Sequence, residues 1–198
     1  MIDLAEEMEP NGFDEEPLDF GFLQRPSSGA ATVRVDRPGS RMKATFSFPP
    51  YEPDVARRIL PRLKRALREG VRIRWPLLGV NQGLPGNPVV DGDEVAGTTL
   101  PLRGLTPFYA AKTGFALHIE EALTGERHWH EVQEPAVANA DGKIELLVEP
   151  PLRAPFADGD VVELARPTFE GWLLEPVGRS VSVDRLARGI VLTIEEAC

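Results

Sequence analysis

Hydrophobic and polar positions alternate from Arg41 to Phe48. Met42, Ala44, Phe46 and Phe48 fall on one side and Arg41, Lys43, Thr45 and Ser47 on the other, the pattern of a strand buried on one face. Pro49 and Pro50 end it. The period then changes: Val55, Ile59, Leu63 and Leu67 recur every four residues. That spacing predicts an amphipathic helix over 54–69, with Asp54 as its cap and Gly70 as its stop. Pro61 falls inside the helix, where its missing N–H and its ring predict a kink or two short helices meeting at Leu60. Alternation resumes at Val71, Ile73 and Trp75. Strand, helix and strand make a helix-on-sheet unit around which the remaining elements are arranged.

Before this unit, 31–35 predicts a short strand, and Asp36-Arg37-Pro38-Gly39-Ser40 has the chemistry of a turn. After it, 76–102 is dense in Gly, Pro and Asn and predicts an ordered connector with a short strand at Val89-Val90. Its glycines fit no phosphate loop and no dinucleotide fingerprint, since neither Gly-Lys-Ser/Thr nor GxGxxG occurs. Residues 108–168 predict short strands at even spacing, 115–119, 127–132, 144–148 and 161–165. Thr124-Gly125 joins the first two of these as a hairpin. A small Greek-key barrel of OB type accounts for that pattern. Three last strands, 171–176, 181–183 and 190–194, are expected to rejoin the first sheet. The expected fold class is mainly β with one principal α-helix (α+β). An OB-like β-barrel at 106–168 is inserted in a discontinuous sheet-plus-helix domain (31–105 and 169–198), and residues 1–30 form an acidic N-terminal arm.

Charge refines this division. Residues 1–20 carry Asp3, Glu6, Glu7, Glu9, Asp14, Glu15, Glu16 and Asp19 with no Lys or Arg, so they hold nearly all of the formal charge of −9 and the remaining chain is close to neutral. A segment this acidic with scattered apolar residues is expected to be mobile, or to fold only against a partner with Phe13, Leu18 and Phe20 as anchors. The 19 Pro and 18 Gly favour strands and turns over a helical bundle. Cys198 is the single cysteine, which excludes an intrachain disulfide and fits assembly in a reducing cytoplasm. With no apolar run of about 18 residues and no secretory-type N-terminus, neither a membrane span nor standard export is expected.

The helix at 54–69 carries Arg57, Arg58, Arg62, Lys64, Arg65 and Arg68 away from its apolar stripe. Nucleic-acid binding is disfavoured, because the body has no net positive charge and no aromatic residues interleave with these cations. The alternatives are a solvated face or a contact with acidic groups of a neighbouring subunit, which makes Arg57, Arg58, Arg62, Arg65 and Arg68 the subunit-interface candidates. The histidines form a second candidate set. His128 and His130 flank Trp129 and share a strand face. A three-residue hairpin loop would set Glu120 opposite His128 and His118 opposite His130, a zinc-like set, whereas a two-residue turn would separate them. Surface or interface histidines are the favoured reading. No G-x-S-x-G, no H-E-x-x-H and no cysteine with a companion base occurs, and Cys198 sits on a terminus. Glu120-Glu121 and Glu195-Glu196 read as solvated strand positions, and Trp75, Trp129 and Trp172 as packing residues. No catalytic set, cofactor or metal is expected.

The order of segments carries a family resemblance. A strand ending FSFPP leads to the helix DVARRILPRLKRAL and the strand REGVRIRWP. GNPVVDG and GTTLPLRGL follow, then a barrel containing ADGKIELLVEPPLRAPFADGDVVEL and a terminus closing IEEA. Over about residues 31–197 this resembles the distal tail or baseplate proteins of long-tailed (siphovirus-type) bacteriophages. The resemblance implies a structural virion protein, not an enzyme, located at the tail tip and assembled in the host cytoplasm. Its sheet-plus-helix domain would form a homohexameric ring continuing the tail tube, with the OB-like domain outside. Its partners would be the tail tube protein, the hub or baseplate proteins and receptor-binding components. The long acidic N-terminus departs from that pattern. Competing classes are a carbohydrate-binding module, which would group exposed aromatics on one barrel face, and a metal-dependent hydrolase.

Overall fold

The alternation at 41–48 produces a strand, Arg41–Ser47, with Met42, Ala44 and Phe46 buried together with the following Phe48. In the computed structural model, which describes residues 1–27, 29, 31–35, 39–175, 177–178, 180–181 and 185–197, this strand lies inside a six-stranded sheet. The sheet order is Ile2–Asp3, Val71–Arg74, Thr168–Leu173, Val191–Glu196, Arg41–Ser47, Gly12–Leu18. Ile2–Asp3 runs parallel to Val71–Arg74, and every other pairing is antiparallel. The fold class is as expected: mainly β with one long helix and a closed antiparallel barrel.

The helix spans Pro53–Glu69 and packs over the Ile2–Asp3, Val71–Arg74 and Thr168–Leu173 end of the sheet. Pro53 occupies the first turn, where a missing N–H leaves no bond unmade. Glu52 takes the cap position without a side-chain cap bond, so Asp54 is not the cap; it lies in the first turn, where its charge complements the helix dipole. The helix continues through Pro61 instead of dividing at Leu60. Pro61 is on the exposed face, while Ala56, Ile59, Leu63 and Ala66 bury the opposite face on both sides of it. Val55 and Leu67, expected within the apolar stripe, sit half-buried at its margins. Gly70 ends the helix at φ 73°, with its N–H donating to Ala66 O at 2.9 Å.

The acidic N-terminus is part of the sheet and not a free arm. Ile2–Asp3 forms one edge strand and Gly12–Leu18 the other, and Leu4 and Met8, both fully buried, lie in the sheet core. Met8 N–H donates to Leu4 O at 2.9 Å, a single helical turn that turns both side chains inward. Several of its carboxylates pair with cations of the body: Glu6 with Arg74, Glu7 with Arg62, Asp3 with Arg72 and Glu16 with Lys43. High acidity suggested disorder; four apolar residues at Ile2, Leu4, Ala5 and Met8 reverse it by filling the core.

The barrel closes in the order Ala116–Glu120, Arg127–Val132, Ile144–Phe156, Val95–Leu105, Gly86–Val90, Val161–Glu163. It therefore has six strands, where an OB barrel has five, and two of them come from the stretch expected to be a connector. Gly104 lets this happen at φ 83°: a Cβ there would lie 2.6 Å from Asn87 O, so the hairpin Gly86–Val90/Val95–Leu105 closes only on glycine. Ile144–Phe156 runs eight residues past its expected end. Pro150 and Pro151 offer no N–H, and its ladder with Val95–Leu105 shifts register between Leu147 and Leu152.

Of the last expected strands, Thr168–Leu173 and Val191–Glu196 join the sheet. Ser180–Val181 pairs with Ala187–Arg188 instead, as a separate hairpin. The predicted turn residues 36–38, the strand residues 182 and 183 and Cys198 lie outside the described residues. Val33–Val35 pairs with Phe22–Gln24 in a further small hairpin.

If residues 1–8 are core, Leu4→Ala and Met8→Ala should each lower unfolding stability by about 2–5 kcal/mol in urea denaturation. A change within about 0.5 kcal/mol, as for an exposed site, would return the segment to a free arm.

Candidate functional site

The helix places its cations in two rows. Arg57, Lys64 and Arg68 line the row through Pro61, and Arg58, Arg62 and Arg65 the adjacent one. Arg62 is not a free contact group: it pairs with Glu7 and donates to the backbone oxygen of Asp3. Arg65 holds Glu69 one turn on, through contacts of 3.2 and 2.8 Å. Among the described residues Arg57, Arg58 and Lys64 have no ion-pair partner, and Arg57 and Lys64 flank a cleft of about 410 Å³ with Leu60, Pro61 and Val177. Of the five interface candidates, then, Arg62 and Arg65 are engaged within the chain, and Arg57, Arg58 and Arg68 point outward.

The second candidate set is not brought together. The hairpin register sets Glu120 opposite Arg127, His118 opposite Trp129 and Ile119 opposite His128. Glu121 N–H donates to Glu126 O, closing a four-residue loop at 122–125, neither of the two lengths considered. One more loop residue slides the partner strand and separates the histidines onto two faces. His118 and Glu120 lie on the outer face of the wall, and His128 and His130 point inward, edge-on to Phe156 at 5.0 and 6.3 Å. All three histidines are buried, contrary to the surface reading. Glu121, Glu126 and His128 bring ligand atoms within 4.8 Å of one another. Yet His128 Nε2 already lies 2.9 Å from Glu121 Oε1, a pairing that occupies the ring without an ion.

Burial fixes His118 and His130 as neutral groups. His130 Nδ1–H donates to Pro150 O at 2.7 Å inside the barrel, and desolvation, with Arg153 adding to it, lowers its pKa to about 3. Desolvation, with Arg127 and Arg72, likewise lowers His118 to about 3. His118 Nδ1 accepts from Thr168 N–H at 3.0 Å, so its lone pair is engaged and it is not placed to act as a general base. It borders a cleft of about 540 Å³ between the barrel and the N-terminal segment. Arg127 in that cleft is tied to Glu120 at 2.7 Å and to Thr168 Oγ1 at 3.0 Å.

The strongest polar arrangement lies at the joint between barrel and sheet. Trp129 projects outward from the barrel wall into the sheet core, with its ring centroid 4.5 Å from that of Trp75. Glu196, 1 % exposed, closes the joint around it. Its Oε1 accepts the backbone N–H of Trp129 at 2.9 Å and a guanidinium N–H of Arg153, both from the barrel, and its Oε2 accepts Met42 N–H of the sheet at 3.1 Å. Arg127–Val132 pairs with the Ile144–Phe156 strand only at Glu131 and Val132, so the carboxylate takes the place of the missing strand partner at Trp129. Arg72 spans the same joint, binding Glu170 at 2.6 Å and Gly125 O at 3.0 Å. Gln82 performs the equivalent task on the connector: its amide exchanges bonds with both backbone groups of Ala116 at 2.8 Å and reaches Leu164 O. Neither Glu196, next to Glu195, nor Gln82, next to Asn81, is set apart by its neighbours in the sequence.

No family model matches the chain, and a search of curated proteins finds no relative. Among the described residues no helix is long and apolar enough to cross a membrane.

The two low imidazole pKa values set a pH dependence. In the unfolded chain the rings bind protons near pH 6.5, and in the folded chain only near pH 3. The unfolded state therefore holds more protons between these values, and stability falls as pH falls from about 6.5 to about 3, by up to about 1.4 kcal/mol per pH unit for each ring. H118N/H130N should be less stable than the native chain at pH 7 but lose less on acidification to pH 4, read from urea midpoints. An unchanged acid slope would show that these rings titrate normally.

Proposed function

We propose that the chain is a structural protein of a phage tail tip, a distal tail protein whose sheet-plus-helix body forms a ring, likened above to a hexamer, that joins the tail tube to the hub and receptor-binding components. The observation that supports this best is the division of its polar groups. Buried ones tie barrel to sheet, as Glu196, Arg153, Arg72 and Glu170 do, and Gln82 ties the connector to the barrel. Arg57, Arg58 and Lys64, which have no ion-pair partner among the described residues, lie on an outward helix face. A part that joins others needs a rigid interior and faces for neighbours, and a ring needs two different faces per subunit.

The carbohydrate-binding alternative asks for aromatic side chains grouped on an outer barrel face. Phe115, Trp129 and Phe156 are all buried. Between Gly86 and Glu163, Phe108 is the one exposed aromatic among the described residues. A single ring is a poor platform for a sugar, so this reading is the weaker of the two.

Light scattering with negative-stain imaging of the purified chain tests the proposal. The expected result is rings of about six times the 21.8 kDa chain mass. A monomer at every concentration would reject it.

A further inference from the structure

The two ends of the six-stranded sheet carry opposite charge. At one end lies the helix, with Arg57, Arg58 and Lys64 exposed and without ion-pair partners among the described residues. At the other lies the edge strand Gly12–Leu18, whose outer side has no strand beside it among the described residues. This edge exposes Asp14, Glu15 and Glu16. Among the described residues only Glu16 of these three has an ion-pair partner, Lys43. Glu15 faces a further carboxylate, Glu131 of the barrel, which is half-buried and has no cation beside it among the described residues; burial first, and then Glu15, raise its pKa. Two neighbouring carboxylates without a counter-charge are an unfavourable arrangement in the isolated chain.

One chain cannot cancel both patches. Six strands at about 4.8 Å spacing set the ends about 24 Å apart, well beyond a Debye length at physiological salt. Nor does the edge invite another strand: Pro17 has no N–H, and three carboxylates occupy its middle. Side-chain charge is the chemistry it offers. Along the helix Arg57 to Lys64 extends about 10 Å, and the seven-residue edge, about 24 Å long, is long enough to receive it.

We infer that the acidic edge, with Asp14 on one face of the strand and Glu15 beside Glu131 on the other, receives Arg57, Arg58 and Lys64 of a second copy of this chain, head to tail. The inference rests on the ring reading and names its two faces. A heterologous contact of this kind repeats around a closed ring. It also accounts for the acidic N-terminus, which neutralises Arg62, Arg72, Arg74 and Lys43 of its own body and leaves the outward helix face for the neighbour.

The test uses two charge reversals at exposed positions, R57E/R58E/K64E and D14K/E15K, with circular dichroism to establish that each folds. Each reversal alone should weaken assembly about a hundredfold or more, because like charges then meet at every contact. Mixing the two variants should restore rings in which they strictly alternate, since each supplies the complement the other lacks. Native-size rings in both reversed proteins would overturn the inference and leave the ring reading standing. A native chain that never assembles would overturn both. Loss of assembly in each variant without rescue on mixing would also count against this pairing.

Discussion

A carboxylate enclosed between two β structures needs every one of its bonds, because removing it from water is costly unless donors replace the water. Glu196 meets that demand with donors from both bodies: Trp129 and Arg153 from the barrel and Met42 from the sheet. The demand is what makes the joint specific. Trp129, Trp75, Phe169 and Phe46 supply the apolar contact area, and apolar area alone tolerates sliding. An ion with three directed bonds does not. Arg72, bonded to Glu170 on the sheet and to Gly125 O on the barrel, fixes the same joint at a second point.

That rigidity bears on how the surface is used. The chain enters the sheet at one edge, returns at the other, builds the helix, closes the barrel, and comes back through Thr168–Leu173 and Val191–Glu196 to the sheet centre. Both sheet edges are therefore made by the N-terminal 18 residues. Those residues are also the acidic ones, so the same segment seals part of the core, neutralises Arg62, Arg72, Arg74 and Lys43, and leaves a negative edge. Under the proposed function, a charge distribution that looked like a tail is part of the body's recognition surface.

How much of this was legible in the sequence depended on whether a signal was local. Strand Arg41–Ser47, the helix and its stop at Gly70, and the hairpin Ala116–Glu120/Arg127–Val132 follow from periodicity and turn chemistry, and they form where expected. The N-terminal strands were hidden because eight carboxylates outweigh the i, i+4 pair Leu4 and Met8 in any composition argument. The hairpin at 86–105 was hidden because its glycines, which mark loops in sequence, here serve a close backbone approach at Gly104. In the candidate site, the outward cations were legible from helix geometry, but the capture of Arg62 by Glu7 was not, since it depends on a fold the arm was not expected to have. The histidine set failed on one loop residue, a difference in register that sequence spacing does not fix. Glu196, read as solvated, owes its burial to the docking of the barrel on the sheet, which no local signal reports.

The central structural claim is that barrel and sheet form one cooperative body through this joint. Differential scanning calorimetry of the intact chain tests it directly. The account predicts a single transition whose calorimetric and van't Hoff enthalpies agree. Two resolved transitions, with sheet and barrel melting apart, would contradict it.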